Sequence, residues 1–297
     1  MKLCLGTVQF GMDYGIRNQK QPDLKDAIKM LDYAVQNGIT NIDTANAYGT
    51  AEDLIGIFLQ KKTVKRDKLF IVSKCCPNLL DDCSSKQYYT IIKDNLLNSL
   101  SRLHTDYLDS YLLHSSRYVY NDCIIDALNQ IKKEGYANKV GVSVYEVDEA
   151  KKCIERENLD FVQLPYSIFD QRMLHGKVFE MANRCDIQVH SRSAFIQGLI
   201  LMKEDEVPSF LNKAKPILRK IDDMCQKYEI SRIELAMGFV KCQDSISHLV
   251  FGVDNLEQLK EDIEFFRHSI SKEIILEISK EFSDLETDIV MPSLWKK

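Results

Sequence analysis

Short runs of apolar residues recur along the chain, and each is followed by a longer stretch whose apolar positions repeat with helical spacing. The runs are LCLG (3–6), TNID (40–43), LFIVSK (69–74), YLDSYLLH (107–114), KVGVSV (139–144), FVQLPY (161–166), IQVHS (187–191) and ISHLVFG (246–252). Most are too short for helices and several are rich in Val and Ile, as strands buried on both faces of a parallel sheet should be. Between them, Ile124, Leu128 and Ile131 repeat at i, i+4 and i+7, on one face of a helix. Asp23 precedes an amphipathic stretch over 24–36 as an N-cap, and Gly38 follows as its stop. Ser84 and Gln87 have capping-box spacing ahead of a helix over 91–103. The longest gap, between the seventh and eighth runs, predicts helices over about 208–227 and 231–242. A final helix is expected near 272–285, before a tail that carries Trp295.

Eight strands alternating with eight or more helices, with no Pro/Gly/Ser-rich linker, predict a single (β/α)8 TIM-type barrel with extra C-terminal helices over 1–297. A doubly wound open sheet is the rival, but the glycine-rich G-x-G-x-x-G turn expected after its first strand is missing. Composition fits a soluble globular protein, with 45% hydrophobic and 28% charged residues. A net charge of −5 without a basic block argues against a nucleic-acid partner. The chain has no run of about 18 apolar residues, and its first residues do not read as a signal peptide, so no membrane partner is expected. Nine cysteines at irregular spacings, with Cys75 and Cys76 adjacent, read as reduced thiols in a cytoplasmic protein. No histidine or cysteine spacing suggests a metal.

In a barrel of this kind the chemistry gathers where strands end and βα loops begin. Strand two ends in Asp43, with Tyr48 five residues on; strands three to six end in Lys74, His114, Ser143 and Gln163. A buried lysine needs a counter-ion, and Asp43 on the neighbouring strand is the natural one. A phenol beside that cation is expected to have its pKa lowered and to donate its proton readily. With an imidazole to polarise a carbonyl oxygen, the four groups make a general acid aimed at a developing alkoxide.

The ordered set of motifs resembles the aldo-keto reductase family: Gly6-Thr7, IDTANAYG (42–49), the lysine closing strand three, LLH (112–114), GVS (141–143), QLPYS (163–167), SAFIQGL (193–199) and the glycine-to-helix junction at Gly252. By that resemblance the chain is an NAD(P)H-dependent oxidoreductase that reduces an aldehyde or ketone. Tyr48 is then the general acid, Lys74 and Asp43 its support, and His114 orients the carbonyl. Ser143 and Gln163 are implied to hold the nicotinamide carboxamide, with Gly6 and Thr7 close to the cofactor and Ser193 at the pyrophosphate. The helix after Gly252 would receive the adenosine-side phosphate, and Gln258 and Asp262 the adenine.

Arg192 stands where many relatives place a stacking aromatic, and a guanidinium plane is expected to take that role. Relatives often put a cation just after the last strand's glycine for the 2′-phosphate of NADP, where this chain has Asp254 and Asn255. The family implies NADPH; the carboxylate leaves NADH as the alternative. Phe10, Arg117 and Trp295 are candidate substrate-binding residues, Arg117 for an anionic group. The wording of 6–16 and 191–200 resembles a bacterial subgroup associated with sugar and polysaccharide biosynthesis, which implies a sugar or nucleotide-sugar carbonyl. Two other functions fit the same residues: a cofactor-sensing regulatory subunit without useful turnover, and a Schiff-base aldolase using Lys74. Sequence gives no oligomeric state.

Overall fold

The computed structural model describes residues 1–295. Eight parallel strands close into a barrel in sequential order: β1 (Lys2–Gly6), β2 (Asn41–Asp43), β3 (Phe70–Cys75), β4 (Leu108–Leu113), β5 (Ala137–Ser143), β6 (Phe161–Pro165), β7 (Gln188–Arg192) and β8 (His248–Phe251). β8 pairs back onto β1 through Leu3↔Leu249 and Leu5↔Phe251, so no strand edge is exposed. Each strand starts and ends within two residues of one of the eight apolar runs read from the sequence.

Two separate apolar clusters result. The large one lies between the sheet and the surrounding helices, which supply faces such as Ile124, Leu128 and Ile131 of the helix Asp122–Lys133. A small one, Val72, Leu112 and Phe161 with Phe70 against it, fills the barrel interior. Strand side chains alternate, so Lys74 follows Val72 on the inner face, His114 follows Leu112, and Gln163 follows Phe161. An apolar inner layer therefore carries a polar one above it.

Local signals explain most boundaries. Asp23 accepts from the Asp26 amide at 2.8 Å and starts Leu24–Gln36, and Gly38, at φ +82°, turns the chain out of it. Ser231 and Glu234 form the capping box of Arg232–Lys241. The Ser84–Gln87 bonds (3.0 and 2.7 Å) lie instead in the turn before Tyr88–Leu103, which begins three residues earlier than expected. The helix predicted over 208–227 is a 3-10 segment, Ser209–Ala214, followed by Lys215–Tyr228. Pro216, with no N–H to contribute, occupies the first turn of the α-helix. The last long helix runs Lys272–Glu281, and a short Thr287–Val290 turn leads to a buried Trp295, whose ring centroid is 6.4 Å from that of Phe210. Among the described residues no helix is long and apolar enough to cross a membrane.

Side chains fill the floor of the barrel below the inner apolar cluster. His190 packs at 4.4 Å from Phe161 and 4.5 Å from His248. Gln188 links the His190 ring (2.9 Å) to Lys139 (2.6 Å).

Candidate active site

The mouth of the barrel is built on strand register. Lys74 Nζ donates to Asp43 Oδ1 at 2.6 Å and to the Thr44 carbonyl at 2.9 Å, and both charged side chains are buried. Gln163, from the far side of the barrel, donates to the other carboxylate oxygen at 2.6 Å. Thr7 fixes the rim by donating through Oγ1 to the Asp43 carbonyl at 3.0 Å. Burial pulls the Lys74 ammonium toward neutrality, but Asp43 and Tyr48 outweigh it and its pKa lies above the ordinary lysine value. Such a lysine, with its hydrogens committed to two acceptors, is no Schiff-base nucleophile, so the aldolase alternative loses its premise.

Tyr48 sits over this pair, with Nζ 5.1 Å from its ring centroid. Burial, joined by Asp43, raises the phenol pKa above its ordinary value against the downward pull of Lys74 and Arg192. The net shift is opposite to the fall expected from the lysine alone: desolvation of the phenolate exceeds the cation's help. Tyr48 is thus a fully protonated donor at neutral pH. The His114 ring meets it edge-on at 5.8 Å. Burial, then Lys74 and Arg192, push the imidazole pKa down to about 3, so His114 is neutral, and its buried Nδ1 has no partner among the described residues.

A cleft of about 570 Å³ runs from Tyr48 and His114 across the barrel mouth. All nine residues expected to hold the cofactor border it. Gly6 and Thr7 come from the end of β1, Ser143 and Gln163 from β5 and β6, Arg192 and Ser193 from the end of β7, and Gly252, Gln258 and Asp262 from the loop and helix after β8. Gly252 lets the Gln9 amide lie close against the backbone: a Cβ there would stand 2.3 Å from Gln9 Oε1, a buried acceptor without a partner among the described residues, and would push that side chain aside. The helix Leu256–Arg267 is capped by Asn255, which accepts from the Gln258 amide at 2.9 Å, while Gln258 Oε1 accepts from the Asp254 amide at 2.8 Å. That end is acidic, with Asp254, Glu261 and Asp262 all on the lining. Burial, with Glu261 adding, pushes the Asp262 pKa up to about 7. The cations on the lining are Arg17, ion-paired with Glu206, and Arg192.

The three substrate-side candidates lie elsewhere. Phe10 is fully buried in the main core. Arg117 is exposed and bonded to Asp81 and, at 2.8 Å, to Asn78, and Trp295 packs beside Phe210; none borders the cleft. Conversely, Gln9, Tyr145 and the loop 193–198 do border it. Ser193, Ile196, Gln197 and Gly198 all have positive φ, an arrangement that costs a β-branched residue such as Ile196 about 1–3 kcal/mol. The Ile16 amide donates to the Gln197 carbonyl at 3.0 Å, tying the β1 loop over the same region. Gln9 and Tyr145 stand off the strand ends, where no period of two points to them, whereas the loop falls within the motif that carries Ser193.

Comparison with known proteins bears on the family and the fold. The profile of the Aldo/keto reductase family matches residues 2–280. The uncharacterized oxidoreductase YqkF of Bacillus subtilis (strain 168) is 26% identical over 259 residues, 80% of this chain and 81% of its own. The NADH-specific methylglyoxal reductase of Escherichia coli (strain K12) is 25% identical over 257 residues, 76% of this chain and 78% of its own. The solved structure of aldo-keto reductase AKR11C1 from Bacillus halodurans, in its holo form, is similar with a TM-score of 0.78 at 21% identity, covering 97% of this chain and 95% of its own.

Proposed function

The chain belongs to the aldo/keto reductase family and is an NAD(P)H-dependent oxidoreductase; from that premise we propose that it reduces a small-molecule carbonyl with NADH in preference to NADPH, Tyr48 giving the proton. The observation that carries the reading is the buried Asp43–Lys74 pair under Tyr48 and beside a neutral His114, at the head of a cleft of cofactor size. The residues present fit a dinucleotide. Gln163 spends an N–H on Asp43 and keeps its Oε1 for a carboxamide, Gln9 Oε1 and His114 Nδ1 lack partners, and among the described residues no side chain donates to the Asp262 carboxyl.

Reduced nicotinamide, when bound, supplies the hydride. The chain's residues deal with the oxygen. A neutral imidazole at His114 orients the carbonyl without a competing positive charge, and the Tyr48 hydroxyl passes its proton to the oxygen as negative charge develops there. Lys74, held charged by Asp43, stabilises the phenolate left behind. Asp254 and Glu261 at the far end repel a 2′-phosphate, and a carboxylate there accepts from a ribose hydroxyl instead. Near Tyr48, Tyr14 and Tyr145 offer ring faces and hydroxyls that suit a polyhydroxylated, sugar-like carbonyl. Arg117 is committed to Asp81 and takes no part.

The test is a fluorescence titration of the protein with NADH and with NADPH, followed by turnover on a carbonyl panel that includes aldoses. Saturable binding with NADH the tighter is the expected result. Tighter NADPH binding removes the cofactor preference, and binding of neither removes the reductase reading.

A further inference from the structure

We infer that Arg192 makes the cleft discriminate the redox state of its nucleotide, holding reduced nicotinamide in preference to oxidised. The inference rests on the reading above that the nicotinamide ring lies beside Ser143 and Gln163. Arg192 closes β7, and its pairing with Pro165 places it next to the end of β6. Its Nη2 donates to the Val144 carbonyl at 2.9 Å, one residue past Ser143, and its Nη1 to Ser193 Oγ at 3.3 Å. One face of the guanidinium lies on Tyr145, 4.3 Å from the ring centroid. The group is thus pinned flat on an edge and one face, and the remaining surface borders the cleft.

No carboxylate neutralises it. Lys74 is balanced by Asp43 and Arg17 by Glu206, whereas Arg192 has no acidic partner among the described residues. The head of the cleft therefore carries one uncompensated positive charge, spread over a planar guanidinium. Its field is felt nearby: it acts to lower the pKa values of Tyr48, His114 and Tyr14.

A dihydronicotinamide ring is neutral and stacks on a guanidinium without charge conflict. The oxidised ring is a pyridinium cation, and two like charges at stacking distance in a partly desolvated cleft repel strongly. A neutral aromatic at the same place would lean the other way, because its π face attracts a cation. The consequence for turnover is product release: once the hydride has left, the nucleotide is held less firmly than before.

The experiment measures dissociation constants for NADH by its fluorescence and for NAD+ by competition, in wild type, Arg192→Gln and Arg192→Lys. The ratio of the two constants cancels any general damage to the cleft. We expect the NAD+/NADH ratio to fall by roughly tenfold or more in Arg192→Gln and to stay within about threefold of wild type in Arg192→Lys. An unchanged ratio in Arg192→Gln overturns the inference while leaving the reductase reading intact. So does a loss confined to the KM of anionic substrates, which would make Arg192 a substrate anchor. Failure of wild type to bind either nucleotide sinks the reductase reading itself, and this inference with it.

Discussion

The two ends of the barrel are made by the same strands and both bury histidine, yet they handle polarity differently. At the floor, Phe70 and Phe161 pack around His190, Gln188 bridges that ring to Lys139, and His248 Nδ1 lies 3.2 Å from Ser247 Oγ. His190 Nδ1 and Ser110 Oγ have no partner there, the other groups named are used on one another, and among the described residues no ion pair is buried at that end. At the mouth, a few residues further along β3 and β6, Lys74 and Gln163 converge on Asp43, while His114 Nδ1 and Gln9 Oε1 stay without partners. Buried polar atoms left unpaired cost stability unless something else completes them. The floor is built to be finished by the chain, and the mouth to be finished by a ligand.

Removing a single oxygen from the mouth is the severest test of that division. Tyr48→Phe keeps the ring over Lys74 but deletes the proton donor, so kcat should drop by about 10³-fold or more, with nucleotide affinity changed less than about twofold. At the floor, His190→Phe keeps the aromatic packing and should leave kcat at the wild-type value. Steady-state kinetics of the two variants settle it: loss of turnover in both would end the separation of roles. Lys74→Met comes next, because it harms both activity and fold. It leaves Asp43 buried with only Gln163 as donor, at a cost of about 3 kcal/mol in urea-unfolding stability, and turnover should be lost as well.

The floor-to-mouth axis was largely legible before any coordinates, because a period of two carries a strand's inner face from its apolar middle to its polar end. That is why Asp43, Lys74, His114, Ser143 and Gln163 were found from strand ends alone, and why all eight strands were recognised from their apolar runs. What strand period does not govern was read less well. Phe10 belongs to a four-residue helical turn, Val8–Gly11, whose direction no pattern announces, and its ring goes into the core. Arg117 follows a loop whose conformation is set by Asp81 and Asn78. Tyr145 borders the cleft from a loop and Gln9 from that same helical turn, and no strand end points to either. The phenol pKa was misjudged for a different reason: sequence shows the cation but not the depth of burial, and burial decides the sign.

A smaller effect is expected at the acidic end of the cleft. Asp254→Asn removes one negative charge from the lining and keeps the shape, so NADPH should bind about three- to tenfold more tightly while NADH changes less. Parallel titrations of the two nucleotides read the difference directly. Equal gains for both would mean that Asp254 acts on the helix terminus and not on the nucleotide's 2′ position.

The smallest effect separates the two ends by pH. Burial is the first cause at His190, whose pKa falls well below the ordinary 6.5, at His248, which falls to about 4, and at His114, which falls to about 3. Each ring binds its proton more weakly folded than unfolded, so its contribution to stability is whole above about 6.5 and is lost progressively as pH falls below that. His190→Phe takes one such proton from the unfolded chain. The fall of unfolding free energy between pH 6 and pH 5 should become shallower by up to about 1.4 kcal/mol per pH unit. Catalysis should not follow the same curve, because a His114 that stays neutral down to about 3 puts no acid limb on kcat over that interval. Urea melts at pH 7, 6 and 5, run beside initial rates, test both statements. A rate falling in step with stability across those pH values would show that the mouth titrates with the floor, and that the two ends are not independent.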